Sequence, residues 1–495
     1  MSDAFRSLAL ARPDAVAVIE ESRVLTREQL DRLASGMALV LASVGVTAGD
    51  RVAWMMRNRA EVIVVVLAAQ RLGAVTVPLS YRSVPDELRR LLAVAKPRIV
   101  ACEAANRDVL TGVTDAQVLN VDDPAIAATS RVEVEPPVHT AEHVAERLGS
   151  GASLLFTSGT TGMPKGALRT KGDPRLGACI ADGFGFSATT RYLAAGPLYH
   201  SGPGTCALMA LSRGGVVGLR PRFEPADWLA FARSQGITAS FLTPTQLRAL
   251  VTEIEQGAEG PGSLTNIVVS GEPFPAGLKR RAVAALGPCL IDCYGCTELG
   301  PLACMSARDL LSRPESCGRP FPGVQIAAFD GERQLGPRER GVLRVRTPLA
   351  FEGYLDPGGH LDRCDDWASV GDVGYVDEDG YVHLIDRADD LIISGGVNIY
   401  PADIEAVLDD HPDIRQCAVV GVPDGRWGQV VCAVVVTDRT LTTEGVRAWL
   451  LGRIADDKRP RRVFRVADLP ATGTGKVARS RLRGILADAE ELPSR

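Results

Sequence analysis

The sequence predicts an α/β fold, in which a large N-terminal domain of doubly wound α/β subdomains and a small β-barrel-like subdomain precedes a small α+β C-terminal domain. Strand and helix patterns alternate over residues 1–80, which is typical of parallel sheets covered by helices. From about Gly318 the pattern changes to short strands separated by Gly and Pro turns, which predicts a small β unit. A chain of 495 residues is also too long for one ordinary domain.

The N-terminal alternation is built from clear elements. Short apolar stretches predict strands over residues 15–19, 51–55 and 75–79. Apolar residues at helical spacing predict helices over residues 26–42, 61–72 and 85–94. The longest apolar run, residues 62–69, is too short to cross a bilayer, so we interpret it as part of a buried helix.

The same alternation continues towards the middle of the chain and then gives way to β structure. Further strands of the α/β region are predicted over residues 241–243, 267–270 and 289–292. Strands of the β unit are predicted over residues 324–329, 342–347 and 381–385. Residues 377–380 resemble a calcium loop, but Tyr375 occupies the preceding ligand position and no glutamate closes the loop, so an Asp-Gly hairpin turn is predicted.

The last hundred or so residues form a separate α+β pattern. A helix opens at Pro401, strands are predicted over residues 416–422 and 430–437, and a second helix over residues 443–454. The polar, unpatterned junction at residues 386–390 separates this unit from the β unit. We therefore predict an N-terminal domain of residues 1–387, a hinge at 388–390 and a C-terminal domain of 391–495.

Composition indicates an ordinary globular enzyme of the cytoplasm. Hydrophobic residues make up 46% of the chain and charged residues 23%. The net charge of −5 argues against a general nucleic-acid binder, because phosphate backbones require an excess of basic residues. The N-terminus lacks the basic-then-apolar pattern of a secretory signal, and eleven scattered cysteines fit reduced thiols better than disulfides.

One cysteine motif allows a different interpretation. Cys293 and Cys296 have the CxxC spacing of zinc and redox sites, with Cys289 and Cys304 nearby. A zinc site needs a second pair of ligands, and the sequence has no other CxxC or paired histidines. Because the motif overlaps Tyr294-Gly295 and Thr297-Glu298, we interpret its spacing as accidental.

A phosphate-binding loop is the most informative feature of the chain. A short apolar stretch ends in small hydroxyl and glycine residues followed by one lysine. Backbone amides and hydroxyls of such a loop can wrap a polyphosphate, and the lysine adds a point charge. It is not the common P-loop, because Lys165 precedes Gly166 rather than a Ser or Thr. The loop predicts use of a nucleoside triphosphate, with these binding residues: Thr157, Ser158, Gly159, Thr160, Thr161, Gly162 and Lys165.

Further segments indicate the same site. Tyr294, Gly295, Thr297 and Glu298 follow a predicted strand, and ligands bind at such strand ends in α/β sheets. Glu298 can hold Mg²⁺ against phosphate oxygens.

Asp372 can accept hydrogen bonds from both ribose hydroxyls, Arg387 offers a planar fork of donors, and Lys476 lies in a glycine-rich stretch. Taken singly, three of the residues have an ordinary structural explanation: Glu298 as a cap, Asp372 as a turn residue and Lys476 as a solvated charge. Together with the phosphate loop they indicate one site.

These motifs resemble the adenylate-forming superfamily of acyl-CoA synthetases, peptide-synthetase adenylation domains and luciferases. The resemblance extends over almost the whole chain. It is carried by the stretches 157–166, 294–298, 371–372, 387–404 and 469–476.

The resemblance implies that a carboxylic acid attacks the α-phosphate of ATP, so that pyrophosphate leaves and an acyl-adenylate remains. Lys476 would bridge acyl and phosphate oxygens, while Thr161, Thr297 and Mg²⁺ on Glu298 hold the phosphates. The adenine would be lined by Gly271, Glu272, Pro273 and Tyr294, and the ribose would be fixed by Asp372 and Arg387.

The second step is also implied by the resemblance. The C-terminal domain would rotate about Asp389, withdraw Lys476 and bring the loop beginning Ser394-Gly395-Gly396 to the face where the thioester forms. His200 sits where the family places an aromatic gate, beside the acid pocket at residues 199–202. The acceptor is expected to be coenzyme A.

Several alternatives remain open on the sequence. The acceptor can instead be a free-standing carrier protein or an amine, and a non-catalytic nucleotide-binding protein is a further alternative that Glu298 and Lys476 argue against. After Gly166 the chain departs from many relatives, and Arg169 and Lys171 are either a solvated surface or a site for a more anionic substrate. A small or medium acid is favoured, but its chemical class is left open.

Overall fold

The computed structural model describes residues 2–129, 152–157, 165–170, 172–355, 361–387, 390–394, 397–470, 477–486 and 489–494. Helices and sheets are both present, as the α/β prediction requires. Within these ranges no helix is both long enough and apolar enough to cross a membrane.

The N-terminal region alternates strand and helix as predicted. Its elements are α1 Ser2–Ala11, β1 Val16–Ile19, β2 Val24–Thr26, α2 Arg27–Ser43, β3 Arg51–Met55, α3 Ala60–Arg71, β4 Val75–Pro78, α4 Pro85–Ala95, β5 Ile99–Cys102, α5 Arg107–Leu110, β6 Gln117–Asn120 and α6 Pro124–Thr129. Thr26 caps α2, since its hydroxyl accepts from the amide of Gln29 while the Gln29 side chain accepts from the Thr26 amide. All of residues 62–69 are buried in α3, which confirms the interpretation of this apolar run.

The central region continues the alternation. Its elements are β7 Ser153–Thr157, β8 Lys165–Arg169, α7 Pro174–Gly183, β9 Arg191–Ala194, α8 Ser201–Ser212, β10 Val216–Leu219, α9 Pro225–Ser234, β11 Ala239–Leu242, α10 Pro244–Glu255, β12 Asn266–Val269, α11 Ala276–Leu286, β13 Leu290–Cys296 and β14 Gly300–Met305. The strand predicted over residues 289–292 is longer in the structure and contains Tyr294 and Gly295. It lengthens because β14 pairs with it in antiparallel fashion as far as Cys296.

The β unit follows, and after it the C-terminal α+β unit. The elements of the first are β15 Arg319–Pro320, β16 Gln325–Asp330, β17 Arg333–Gln334, β18 Gly341–Arg346, β19 Gly353–Tyr354, β20 Asp362–Cys364, β21 Trp367–Ser369, β22 Asp372–Val376 and β23 Val382–Arg387. Those of the second are β24 Ile392–Ser394, β25 Val397–Ile399, α12 Pro401–Leu408, β26 Gln416–Asp424, β27 Gly428–Val436, α13 Thr443–Leu450, β28 Arg462–Arg465, α14 Arg479–Ile485 and β29 Glu490–Glu491. The helix predicted over 443–454 ends at Leu450, because Leu451 adopts an extended backbone.

Two largely parallel sheets form the large domain. One has the order β15-β14-β13-β12-β11-β9-β10-β1-β2, and the other has the order β19-β8-β7-β4-β3-β5-β6. In the first sheet β1, β9, β10, β11, β12 and β13 are parallel, and in the second β3, β4, β5, β6 and β7 are parallel. Since parallel strands end at the same edge, polar residues that follow them are gathered there.

Apart from β15 and β19, which pair in the two large sheets, the strands of the β unit form a sheet of their own, and so do those of the C-terminal unit. The β unit pairs β16 with β17 and β18, and β22 connects β18 to β23. Asp377 accepts from the amides of Asp379 and Tyr381 between β22 and β23, which confirms the hairpin turn predicted there.

Polar contacts join the C-terminal unit to the rest of the chain. Arg248 on α10 lies 3.5 Å from Asp409, and Asp386 accepts from the amide of Ala402 at 3.0 Å.

A buried ion pair fixes the strand that leads to the site. Lys279 on α11 is 2% exposed, and its ammonium lies 2.7 Å from the carboxylate of Asp292 on β13. The same ammonium donates to the carbonyls of Pro314 at 2.7 Å and Ser316 at 3.0 Å. Burial raises the pKa of Asp292 although the charge of Lys279 opposes the shift. Every donor of this lysine is therefore used inside the protein.

Replacing Lys279 by Met should lower the free energy of unfolding by about 3–5 kcal/mol, because it leaves Asp292 buried without its partner. Denaturant unfolding measures this loss. The double variant Lys279→Met/Asp292→Asn should recover part of it, and Arg281→Met, which breaks only an exposed pair with Glu255, is the control. A double variant no more stable than Lys279→Met would contradict the explanation.

Candidate active site

The metal carboxylate predicted from the sequence lies just after β13. Glu298 is 8% exposed, and its Oε1 accepts a hydrogen bond of 2.9 Å from the hydroxyl of Tyr354. The carbonyl of Glu298 accepts from the amide of Phe351 at 2.9 Å. Both the side chain and the backbone of Glu298 are therefore fixed by residues that come much later in the chain.

Thr297 lies beside Glu298 and is held in a similar way. Its carbonyl accepts from Nη2 of Arg169 at 2.8 Å, and its hydroxyl lies 3.4 Å from that of Ser201. Burial lowers the pKa of the Arg169 guanidinium, and the negative charge of Glu298 opposes this shift. Arg169, one of the two basic residues left open by the sequence, is thus joined to the site, whereas Lys171 lies outside the described residues.

Gly295 is required by the close approach of two strands. A bulge interrupts the pairing of β13 and β14 between Tyr294 and Gly295. A Cβ atom at Gly295 would lie 2.6 Å from the carbonyl oxygen of Gly300. Only glycine fits there, and the bulge sets the direction in which the chain continues to Thr297.

Three predicted nucleoside residues meet between the first sheet and the β unit. The hydroxyl of Tyr294 donates to Oδ2 of Asp372 at 2.8 Å, and Arg387 lies 3.3 Å from Oδ1 of the same carboxylate. Arg387 also donates to the carbonyl of Val370 at 2.6 Å. Tyr294 is 6% exposed, and burial raises its pKa well above the usual value, so it stays a neutral donor.

The predicted adenine segment follows β12 at the edge where the parallel strands end. Gly271 and Pro273 are exposed, and Glu272 is half-buried. The carboxylate of Glu272 accepts from the amide of Thr245 at 3.0 Å and from its hydroxyl at 2.8 Å. Thr245 lies in the first turn of α10, so this carboxylate stabilises a helix N-terminus.

The predicted gate lies before α8. His200 is half-buried, and its ring centroid is 4.3 Å from that of Tyr199. The side chain of Asn58 holds this segment, since it donates to the carbonyl of Gly196 at 3.0 Å and accepts from the amide of Leu198 at 2.8 Å. Sequence reasoning missed Asn58, because a buried asparagine far from the motif carries no pattern of its own.

The phosphate loop is described only at its two ends. β7 ends at Thr157 and β8 begins at Lys165, which face each other in the antiparallel register. The ammonium of Lys165 lies 5.3 Å from the ring centroid of Tyr354, a cation–π distance. Ser158, Gly159, Thr160, Thr161 and Gly162 lie outside the described residues, as do Asp389 and Lys476.

Tyr354 was also missed by the sequence analysis. Its position, directly after Gly353 and outside every predicted strand, gave no periodic signal. It reaches Glu298 across 56 residues, and only the pairing of β19 with β8 reveals this contact.

The site suits a metal held mainly by phosphate. Among the residues that the structure describes, no group of three or more His, Cys, Asp or Glu side chains can hold a metal ion. A single ordered carboxylate such as Glu298 fits Mg²⁺, which usually binds through one or two carboxylates together with substrate phosphates. Cys293 is buried, and burial raises its thiol pKa well above the usual value, which disfavours the thiolate that binds zinc.

Comparisons with known proteins agree with this geometry. The family model described as "AMP-binding enzyme" matches residues 5–355, and the model of its C-terminal domain matches residues 403–476. The chain is 33% identical to a feruloyl-CoA synthase of an Amycolatopsis species over 95% of this chain and 96% of that protein. It is 34% identical to an indoleacetate–CoA ligase of Aromatoleum aromaticum over 96% of both chains.

A solved structure is similar over nearly the full length. ATP-bound MatB from Rhodopseudomonas palustris superposes with a TM-score of 0.89 at 28% identity, covering 98% of this chain and 99% of that one. The resemblance to the adenylate-forming superfamily is thereby confirmed, and the chain belongs to the family of AMP-binding enzymes.

Proposed function

We propose that this protein is an AMP-forming acid–thiol ligase that joins a carboxylic acid to coenzyme A. In the first step a carboxylate oxygen attacks the α-phosphorus of ATP, the bond to the β-phosphate breaks, and pyrophosphate leaves. In the second step the sulfur of coenzyme A attacks the acyl carbon, AMP leaves, and the thiol proton is released. The observation that carries the proposal is the contact of Asp372 with both Tyr294 and Arg387, since Tyr294 lies in β13 shortly before Thr297 and Glu298.

The described residues suit distinct parts of the nucleotide. Asp372 accepts from the ribose hydroxyls, and Arg387 and Tyr294 hold its carboxylate in place. Gly271, Glu272 and Pro273 line the adenine together with Tyr294. Thr297 donates to the phosphates, and Glu298 holds Mg²⁺, which supplies positive charge against the phosphate oxygens when it is bound.

The phosphate loop and Lys476 complete the proposal from their motifs, and of these residues the structure describes only Thr157 and Lys165. Thr157, Ser158, Gly159, Thr160, Thr161 and Gly162 wrap the phosphates, and Lys165 adds charge at the end of the loop. Lys476 stabilises the charge that develops during adenylation. Fixed donors of this kind lower the barrier because they need no reorganisation as the charge appears.

We further propose a domain boundary at the hinge of residues 388–390, between an N-terminal domain of 1–387 and a C-terminal domain of 391–495. Contacts such as those of Arg248 with Asp409 and of Asp386 with Ala402 cross this boundary, so they must break if the domains rotate.

All eleven cysteines are free, which supports a reducing compartment, and we place the reaction in the cytoplasm.

The acid pocket is proposed beside His200, which acts as its gate. Gly202 lies two residues after this gate, and the ring of Phe241 is so near that a Cβ at Gly202 would be 2.4 Å from it. Because the Phe241 ring lies so close to Gly202, little room remains for a bulky acid on this side of the proposed pocket. We therefore propose a small or medium acid.

The function is tested by pyrophosphate release from ATP and Mg²⁺ across a panel of aliphatic, aromatic and dicarboxylic acids, with and without coenzyme A. We expect turnover that requires both an acid and coenzyme A. Stoichiometric release that coenzyme A does not accelerate would identify a carrier protein or an amine as the acceptor. Nucleotide binding without any release would contradict the enzyme assignment.

Lys476→Ala should abolish adenylation by removing a cation from the developing charge, with a loss of about a hundredfold or more in rate. Thioester formation from a supplied acyl-adenylate should remain largely intact in the same variant. Assays of the two half-reactions, run separately, measure this. Equal loss of both steps would contradict the use of two domain orientations.

Asp372→Asn should raise KM for ATP by about tenfold, since a neutral amide replaces a charged acceptor of hydrogen bonds. Steady-state kinetics with ATP varied at saturating acid measures the change. Asp330→Asn, which breaks an exposed pair with Arg333 in the same β unit, is the matched control. An unchanged KM for ATP in Asp372→Asn would remove this carboxylate from the nucleoside site.

A further inference from the structure

Two side chains outside the proposed ligand set hold the segment that binds Mg²⁺ and phosphate. Tyr354 bonds the carboxylate of Glu298, and Arg169 bonds the carbonyl of Thr297. They come from adjacent antiparallel strands, β19 and β8. The paired strands β8 and β19 thus hold the segment Thr297-Glu298 at two points.

The contact of Tyr354 orients the carboxylate. Its hydroxyl donates to Oε1 of Glu298 at 2.9 Å, and the neighbouring amide of Phe351 donates to the Glu298 carbonyl at 2.9 Å. Since Glu298 is 8% exposed, water has little access to compete for these bonds. The carboxylate is held in one orientation before any ligand binds.

The contact of Arg169 fixes the backbone one residue earlier. Nη2 donates to the Thr297 carbonyl at 2.8 Å across 128 residues of sequence. The guanidinium also interacts electrostatically with Glu298. A charged donor on a carbonyl forms a stronger bond than a neutral one.

β8 and β19 are joined closely enough to act as one unit. The amide of Glu352 donates to the carbonyl of Leu168 at 3.1 Å, and that of Leu355 donates to Gly166 at 2.9 Å. The hydroxyl of Thr170 donates to the Glu352 carboxylate. β8 itself begins at Lys165, the last residue of the phosphate loop.

We propose that Arg169 and Tyr354 are positioning residues, which hold Thr297 and Glu298 in register with β8, the strand that begins at Lys165, so that Mg²⁺ and phosphate meet ligands that are already oriented. This inference rests on the proposed function. It assigns Arg169 to the support of the site rather than to a solvated surface. Partners of this kind act through the ligands that they orient and do not touch substrate.

The test measures binding of α,β-methylene-ATP, whose α–β link is not cleaved, by calorimetry with Mg²⁺ and with EDTA. The wild-type protein should bind more tightly with Mg²⁺. Tyr354→Phe and Arg169→Met should each reduce this Mg²⁺-dependent gain by about tenfold, the lower end of the range for such supporting partners. Their affinity in EDTA should change little, and Arg169→Lys should recover part of the gain.

Matched controls are available in the chain. Arg191→Met removes another half-buried strand arginine, which donates to the carbonyl of Gln235 at 2.7 Å. Tyr375→Phe changes a tyrosine whose ring stacks on His383 instead. Both controls should keep the wild-type gain from Mg²⁺, and thermal melting shows whether each variant is folded.

Each outcome has a separate meaning. A wild-type protein without any Mg²⁺-dependent gain would contradict the proposed function. A wild-type gain that both variants retain would overturn the positioning role alone. Equal losses with Mg²⁺ and with EDTA would also overturn it, because they would indicate a general structural effect. If Arg169→Met does not fold, Tyr354→Phe, which removes a single oxygen atom, decides the question.

Discussion

The hydrogen bond from Tyr294 to Asp372 is the contact on which the site depends, because it joins the first parallel sheet to the β unit. Tyr294 is a residue of β13, and Asp372 begins β22. Arg387 closes the arrangement from the end of β23. This contact brings together nucleoside residues that belong to two different sheets.

Buried charge stabilises the strand that supplies this tyrosine. Asp292 precedes Tyr294 by two residues, and Lys279 holds it from α11 while also binding the loop around Pro314. A buried pair of this kind contributes little net stability compared with apolar packing, but breaking it is costly. It therefore favours one position of β13. Because Thr297 and Glu298 directly follow this strand, their position is fixed with it.

The second constraint comes from the other sheet. β8 carries Lys165 at one end and Arg169 at the other, so one strand contacts both the phosphate loop and the Thr297 carbonyl. Tyr354 on β19 reaches Glu298 from the neighbouring strand. The candidate site is thus built from residues at the edges of three parts of the fold: the two large sheets and the β unit.

Many of the helices and strands could be predicted from the local spacing of apolar residues. The strand at residues 51–55 has its predicted bounds. The helix predicted over 26–42 is shifted by one residue at both ends, and the one predicted over 85–94 ends one residue later, because apolar spacing and capping are local signals. The β13 strand was predicted too short, because its length is set by pairing with β14. Asn58 and Tyr354 were missed for a related reason, since their partners lie far away in sequence.

The sequence by itself determined the fold class, and it predicted the phosphate loop and most of the candidate ligands, because short motifs require particular residue types at fixed spacing. Only the tertiary structure decided which side chains hold those ligands in place. Arg169 reaches Thr297 across 128 residues, and no local pattern encodes a contact made by the packing of separate sheets. The physical reason is that strand order and register, which bring β8 and β19 to the end of β13, result from burial of the whole core.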